Sequence, residues 1–264
     1  MSIGPDMLER AGSTLAGASA CVARFRDRQD AGGRLAAMLD SYVGEAPIVL
    51  ALPRGGVPVG YEVARRLHAH LDVLVVRKVG VPWDRELGVG AVAEGGYVYI
   101  SPETVAAVGL GKRELATVID RERAEVQVRV RRYRGGRVRP ELRGRTIILV
   151  DDGIATGGTV RAALRAIRAA RPREVVLAVP VASPDVLESL SREVDRIVCP
   201  LVPADLCAIG RWYQNFRQVD DDEVARLLEN SRQNWTASCA ETSSTTSLVG
   251  LPTWGSLCRL DLSA

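Results

Sequence analysis

The chain is poor in the residues that build metal centres. Its 264 residues include two histidines and five cysteines, at 21, 199, 207, 239 and 258. No CxxC pair occurs and no Cys/His cluster has ligand spacing, which excludes the common zinc modules. No apolar run approaches the ~20 residues of a membrane-spanning helix. A formal charge of +3 is too small to point to nucleic acid as a partner. The Arg-rich stretch 129–145 reads either as a solvated helix face with a loop or as a local positive field. Neither the GxxxxGK[ST] phosphate loop nor the dinucleotide GxGxxG is present.

The two ends read as accessory. Residues 1–23 lack a basic start and an apolar core, so a flexible leader rather than a signal peptide is expected. Unpaired thiols suit a reducing compartment, and a cytoplasmic location is expected. Residues 231–264 hold twelve Ser or Thr in 34 positions and four charges. That composition predicts a loosely attached or disordered tail. Residues 24–230 remain as one domain that includes a small hood.

Within 24–230, short apolar runs alternate with helical patterns. Strands are expected at 47–52, 72–78, 145–150, 174–181 and 195–199, with a hairpin over 91–101 turning at Gly95-Gly96. Helices are expected at 30–43 (capped by Asp30), after residue 55, at 112–133, 158–170, 184–193 and about 220–229. His68 and His70 fall at a helix end and read as exposed. Such an order predicts an α/β fold: a mainly parallel sheet flanked by helices. In such sheets ligands bind beyond the C-terminal strand ends, which singles out the loops after 52, 77, 150, 179 and 199.

The loop after 150 carries the chemistry. In "ILVDDGIATGGTV", a strand runs into Asp151 and Asp152, then into a loop of small residues that opens a helix. Free backbone N–H groups and the helix dipole at Ala155, Thr156, Gly157, Gly158 and Thr159 suit a phosphate. Two carboxylates would repel a bare phosphate, but they accept from the hydroxyls of a vicinal diol. A ribose 5-phosphate satisfies both halves. The competing reading has one Asp capping the turn and the other exposed.

This string resembles the phosphoribosyl-pyrophosphate (PRPP) signature of the type I phosphoribosyltransferases, above all the adenine and orotate enzymes. "LPRGGVPVG" resembles their pyrophosphate loop, and "RK" at 77–78 the basic pair that opens their mobile loop. "DRQDAGGRLA", "VRKVG", "ELGVGAVAEGG" and "IGRWYQNFRQV" are similar to a bacterial set of such proteins, over about residues 24–230.

The resemblance implies transfer of 5-phosphoribosyl from PRPP to a nitrogenous base, with Mg²⁺ held mostly by PRPP. Asp151 and Asp152 would take the diol, and stand as metal candidates. Arg54, Gly55 and Gly56 would take pyrophosphate, with a cis peptide at Pro53-Arg54. Arg77 and Lys78 would be catalytic, unless Arg54 and Arg77 are ordinary ion pairs. Residues 80–96 are either a lid or an exposed loop, with Gly80, Gly88 and Gly90 as hinges and Trp83, Asp84, Arg85 and Glu86 near the ligand. Trp212, Tyr213 and Phe216 either stack on the acceptor or anchor the core. Ala155 stands where hypoxanthine-guanine enzymes carry a proton-relaying Asp, which argues against a 6-oxopurine. A homodimer follows by analogy. The alternative is a PRPP- or nucleotide-binding regulator without turnover.

Overall fold

The computed structural model describes residues 24–245, apart from the side chains of residues 85–86 and 237–245. The leader and residues 246–264 lie outside the described residues.

Five parallel strands form the main sheet: β1 (Ile48–Ala51), β2 (His70–Val73), β6 (Thr146–Val150), β7 (Glu174–Ala178) and β8 (Arg196–Val198), in the order β2-β1-β6-β7-β8. β1 and β6 are buried along their whole length because both sheet faces are covered. Alternation sorts their side chains. Val49, Ala51, Ile148 and Val150 point into one apolar cluster, while Ile48, Leu50, Ile147 and Leu149 point into the other. The first cluster includes residues of α1 (Arg28–Ala37), α2 (Gly56–Leu67), α4 (Lys112–Arg134) and α7 (Asp221–Thr245). The second includes α5 (Gly158–Ala169) and α6 (Pro184–Leu190).

The chain leaves β1 through α2 toward β2 on one side, and leaves β6 through α5 toward β7 on the other. The direction of winding therefore reverses between the adjacent strands β1 and β6. The crevice at such a reversal is where open α/β sheets take their ligands.

A second, antiparallel sheet comprises β3 (Val76–Val81), β4 (Asp84–Ala93) and β5 (Val98–Ile100). The apolar run 72–78 is accordingly two strands, a correction to the single strand expected. Val73 makes the last β2 pair, with Ala51, and Val76 opens pairing with Ala93 in the other sheet. Residues 80–96 are mostly strand, with a tight turn at Pro82-Trp83 and a further turn at Glu94–Gly96 before β5. The short helix α3 (Pro102–Val108), capped by Ser101, adds an element that the sequence pattern does not predict.

Other boundaries shift for local reasons. Asp27, not Asp30, caps α1, its side chain accepting from the Asp30 amide at 2.9 Å. α7 runs through residue 230 to Thr245, into the stretch whose composition predicts a tail. Ser231 is buried there and the Trp235 ring meets His70 edge-on. His70 opens β2 and is only partly exposed, a correction to the exposed terminus expected. Burial lowers its pKa. No described helix is long and apolar enough to cross a membrane.

Candidate functional site

Asp151 and Asp152 follow β6 at its C-terminal end, in the reversal crevice. The Asp151 Oδ1 accepts from the Asp152 amide at 2.9 Å. Burial, then the neighbouring charge of Asp152, pushes the Asp151 carboxyl well above the usual range. Burial raises Asp152 as well, against the pull of the Arg28 guanidinium. Asp151 is thus the member of the pair that keeps a proton more readily.

The loop after β1 closes on these acids. Gly55 precedes α2 and Gly56 opens it. A β-carbon on Gly55 would stand 1.9 Å from Asp152 Oδ2, and one on Gly56 would stand 2.9 Å from the Val150 carbonyl and 3.2 Å from Asp151 Oδ1. A side chain on Gly55 would fill the space of the Asp152 carboxylate, and one on Gly56 would press on the backbone of Val150 and Asp151. The Pro53-Arg54 peptide is cis, as the family resemblance implies. Arg54 lies 3.7 Å from Asp221, the first residue of α7. Asp221 also accepts from the Tyr133 hydroxyl at 2.6 Å and pairs with Arg132 at 2.6 Å.

The glycine turn follows the acids in the chain and opens α5. Gly157 caps α5 with φ +77, a left-handed conformation that glycine adopts without strain. Ala155 and Thr156 are exposed, Gly158 and Thr159 half-buried. A β-carbon on Gly158 would meet nothing within 4 Å, so the ground before the helix start is open. The twelve-residue helix α2 starts against the acidic pair, and α5, also of twelve residues, starts six residues after Asp152 in the chain. Each contributes partial positive charge at its start, although the Gly56 and Val57 amides of α2 already donate to the Leu52 and Arg54 carbonyls.

Arg28 carries no role in the sequence reading. It opens α1 and is 9% exposed. Its Nε donates to Asp152 Oδ2 at 2.8 Å, Nη2 approaches the same oxygen at 2.7 Å, and Nη1 donates to the Arg217 carbonyl at 2.7 Å. The Phe216 ring stacks on the guanidinium, 3.9 Å from its centroid. Only the string "DRQDAGGRLA" could have flagged this arginine, because its partner lies 124 residues away.

The start of the described chain packs against residues 212–215. Phe25 bridges Tyr213, and the Gln214 and Asn215 amides donate to the carbonyls of Phe25 and Arg26. Tyr213 is an anchor rather than a stacking platform: it is buried, and its hydroxyl donates to the Asp152 carbonyl at 2.6 Å. Trp212 packs at the edge of the same apolar cluster and donates to the Leu206 carbonyl. Phe216, 37% exposed, presents the accessible ring.

The basic pair is split rather than joined. Arg77 and Lys78 lie within β3, so alternation sends them to opposite faces. Arg77 donates to Glu122 of α4 at 3.1 Å, the ion-pair alternative open from sequence. Lys78 is exposed, and its chain lies against Gly88, where a β-carbon would stand 2.3 Å from Cε.

Among the described residues no group of three or more His, Cys, Asp or Glu is placed to hold a metal ion. Asp151 Oδ1 takes the Asp152 amide, Asp152 Oδ2 takes Arg28, and the two carboxyls also bond to each other. That donor set fits a hard cation only if a ligand supplies most of the oxygens.

The fold is that of an α/β protein whose parallel sheet reverses its winding between β1 and β6. The chain belongs to the phosphoribosyl transferase domain family, whose model matches residues 25–201. It is 44% identical over 211 residues to a Mycobacterium tuberculosis (strain CDC 1551 / Oshkosh) protein whose name provisionally assigns it as a phosphoribosyl transferase, covering 80% of this chain and 48% of that one. An equally similar protein comes from the H37Rv strain. The chain spans about half the length of the curated relatives it matches. Among solved structures, that of the protein TT1426 from Thermus thermophilus is similar with a TM-score of 0.67 and 44% identity, covering 78% of this chain and 98% of that one.

Proposed function

We propose that the chain transfers the 5-phosphoribosyl group of PRPP to a nitrogenous acceptor and releases pyrophosphate. What carries the reading is the contact of Gly55 and Gly56 with Asp152 and Asp151, which brings the two motifs of the resemblance into one crevice. The 5-phosphate would lie on the amides of residues 155–159, the ribose diol on the two acids, and the pyrophosphate on Arg54, Gly55 and Gly56. Carboxylates beneath C1 would also favour the positive charge that develops there as the bond to pyrophosphate breaks.

Asp151 and Asp152 are the residues that would hold Mg²⁺ together with the substrate, and the ion would supply charge neutralisation for the leaving pyrophosphate. The protein's share would be to orient the ribose through Asp151 and Asp152. Lys78 and the β3–β4 hairpin would cover the reacting groups and exclude water. In this reading residues 24–230 act as one catalytic domain in the cytoplasm.

A second reading is a PRPP- or nucleotide-binding regulator. The ion pairs Arg28–Asp152 and Arg77–Glu122 favour it, since they neutralise charges that catalysis would use. Pyrophosphate release from Mg-PRPP, measured against a panel of bases, separates the two. Release with at least one base is expected of the transferase. Binding without release on every base would assign the regulator, and no binding would defeat both.

A further inference from the structure

We propose that the cavity between the start of β2, the end of α4 and α7 is a second binding site, and that it takes a phosphate-class oxyanion. The proposal does not depend on the transferase reading.

The cavity has a volume of about 60 Å³, several times what one water requires. His70 and Asp72 of β2, Tyr133 and Arg134 of α4, Arg137 just beyond α4 and Arg232 of α7 line it. Its lining includes no residue of the acid pair, the glycine turn or the loop after β1.

The nearby acids are already committed. Asp72 accepts from Arg134 Nε at 2.9 Å, Glu94 holds the other end of the same guanidinium, and Glu229 takes Arg232. Arg137 is exposed, and no carboxylate among the described residues pairs with it. Its Nη2 donates to the Tyr133 carbonyl at 3.3 Å, which leaves most of the fork for a ligand. Burial, then the charge of Arg137, holds the Arg232 guanidinium below its ordinary pKa, yet an arginine stays charged. Two like charges therefore repel each other in the wall of the cavity, and an anion bound between them would be attracted to both. Arg139 adds a buried guanidinium whose Nε and Nη2 have no hydrogen-bond partner among the described residues, and Nδ1 of His70 is unmatched as well. Donors thus exceed acceptors around the cavity.

An oxyanion matches that excess, since guanidinium forks offer donors only. A planar carboxylate directs its acceptors into one plane. A tetrahedral phosphate directs them several ways, which suits donors arriving from β2, from beyond α4 and from α7. Exposed Arg137 and Val138 stand at the rim, so the group is either free phosphate or the terminal phosphate of a larger molecule.

His70 reports on the cavity directly, because it lines the wall and the chain has two histidines. His68→Asn tells the two ring resonances apart; His68 is exposed and left-handed, a conformation that asparagine adopts. The His70 resonance of the wild-type protein is followed by NMR against inorganic phosphate, phenyl phosphate and, at matched ionic strength, sodium chloride. A saturable shift with either phosphate and none with chloride is expected. Tighter half-saturation by inorganic phosphate assigns the free ion, and tighter half-saturation by phenyl phosphate assigns a terminal group. Arg137→Ala should weaken binding by about tenfold, and Arg137→Lys should restore part of it, with circular dichroism to show that both are folded.

No saturable shift with either phosphate, an equal shift with chloride, or unaltered affinity in Arg137→Ala would overturn the proposal.

Discussion

The Oδ2 of Asp152 lies where a β-carbon on Gly55 would have to stand, 1.9 Å away. Gly55 has ordinary helical angles, φ −60 and ψ −34, so its requirement is room and not conformational freedom. The loop after β1 and the acid after β6 are fitted to each other across the sheet reversal.

Gly55→Ala should therefore displace the Asp152 carboxylate and cost about 1–3 kcal/mol, the usual range for overpacking. Combining it with Asp152→Ala relieves the clash. In a double-mutant cycle of unfolding free energies, the second substitution should cost much less in the Asp152→Ala background. Additive costs would mean that the two residues do not compete for the same space.

Arg77→Ala and Lys78→Ala should behave differently because the strand separates them. Glu122 is 7% exposed and takes Arg77 and Arg121 as partners. Removing Arg77 leaves it one arginine, and a loss of roughly 1–3 kcal/mol in stability is expected. Lys78→Ala should lower kcat more than PRPP affinity. Thermal melts and steady-state kinetics on the single variants check this, and the reverse pattern would put the hairpin's chemistry on Arg77.

The Tyr133–Asp221 bond predicts an alkaline weakness. Burial, then the bond to Asp221, pushes the Tyr133 hydroxyl from 10.0 to about 12. Above 10.0 the unfolded chain loses this proton while the folded chain keeps it, so folding is opposed increasingly as pH rises toward about 12. The contribution is present in full below the unfolded value. Tyr133→Phe cannot ionise, so its unfolding free energy should fall less steeply across that window. Parallel curves for the two proteins would contradict the assignment.

The parallel sheet was legible because its strands are short, apolar and separated by helical patterns. The acid pair and the glycine turn were legible because they are contiguous in sequence. The break between Val73 and Val76 was not, since an apolar run does not say which sheet each half pairs with. Arg28 was missed because one arginine carries no local mark of a partner 124 residues distant. The course of α7 beyond residue 230 was hidden by composition. Ser and Thr lower helix propensity, while the contacts of Trp235 with His70 and of Asn234 with Tyr61 are tertiary.

Calorimetric titration of Mg-PRPP into the wild-type protein and into Asp151→Asn/Asp152→Asn tests the central claim most directly, with circular dichroism to show that both are folded. The account predicts saturable binding to the wild type and its loss in the folded double variant. Equal affinity for the two would contradict it.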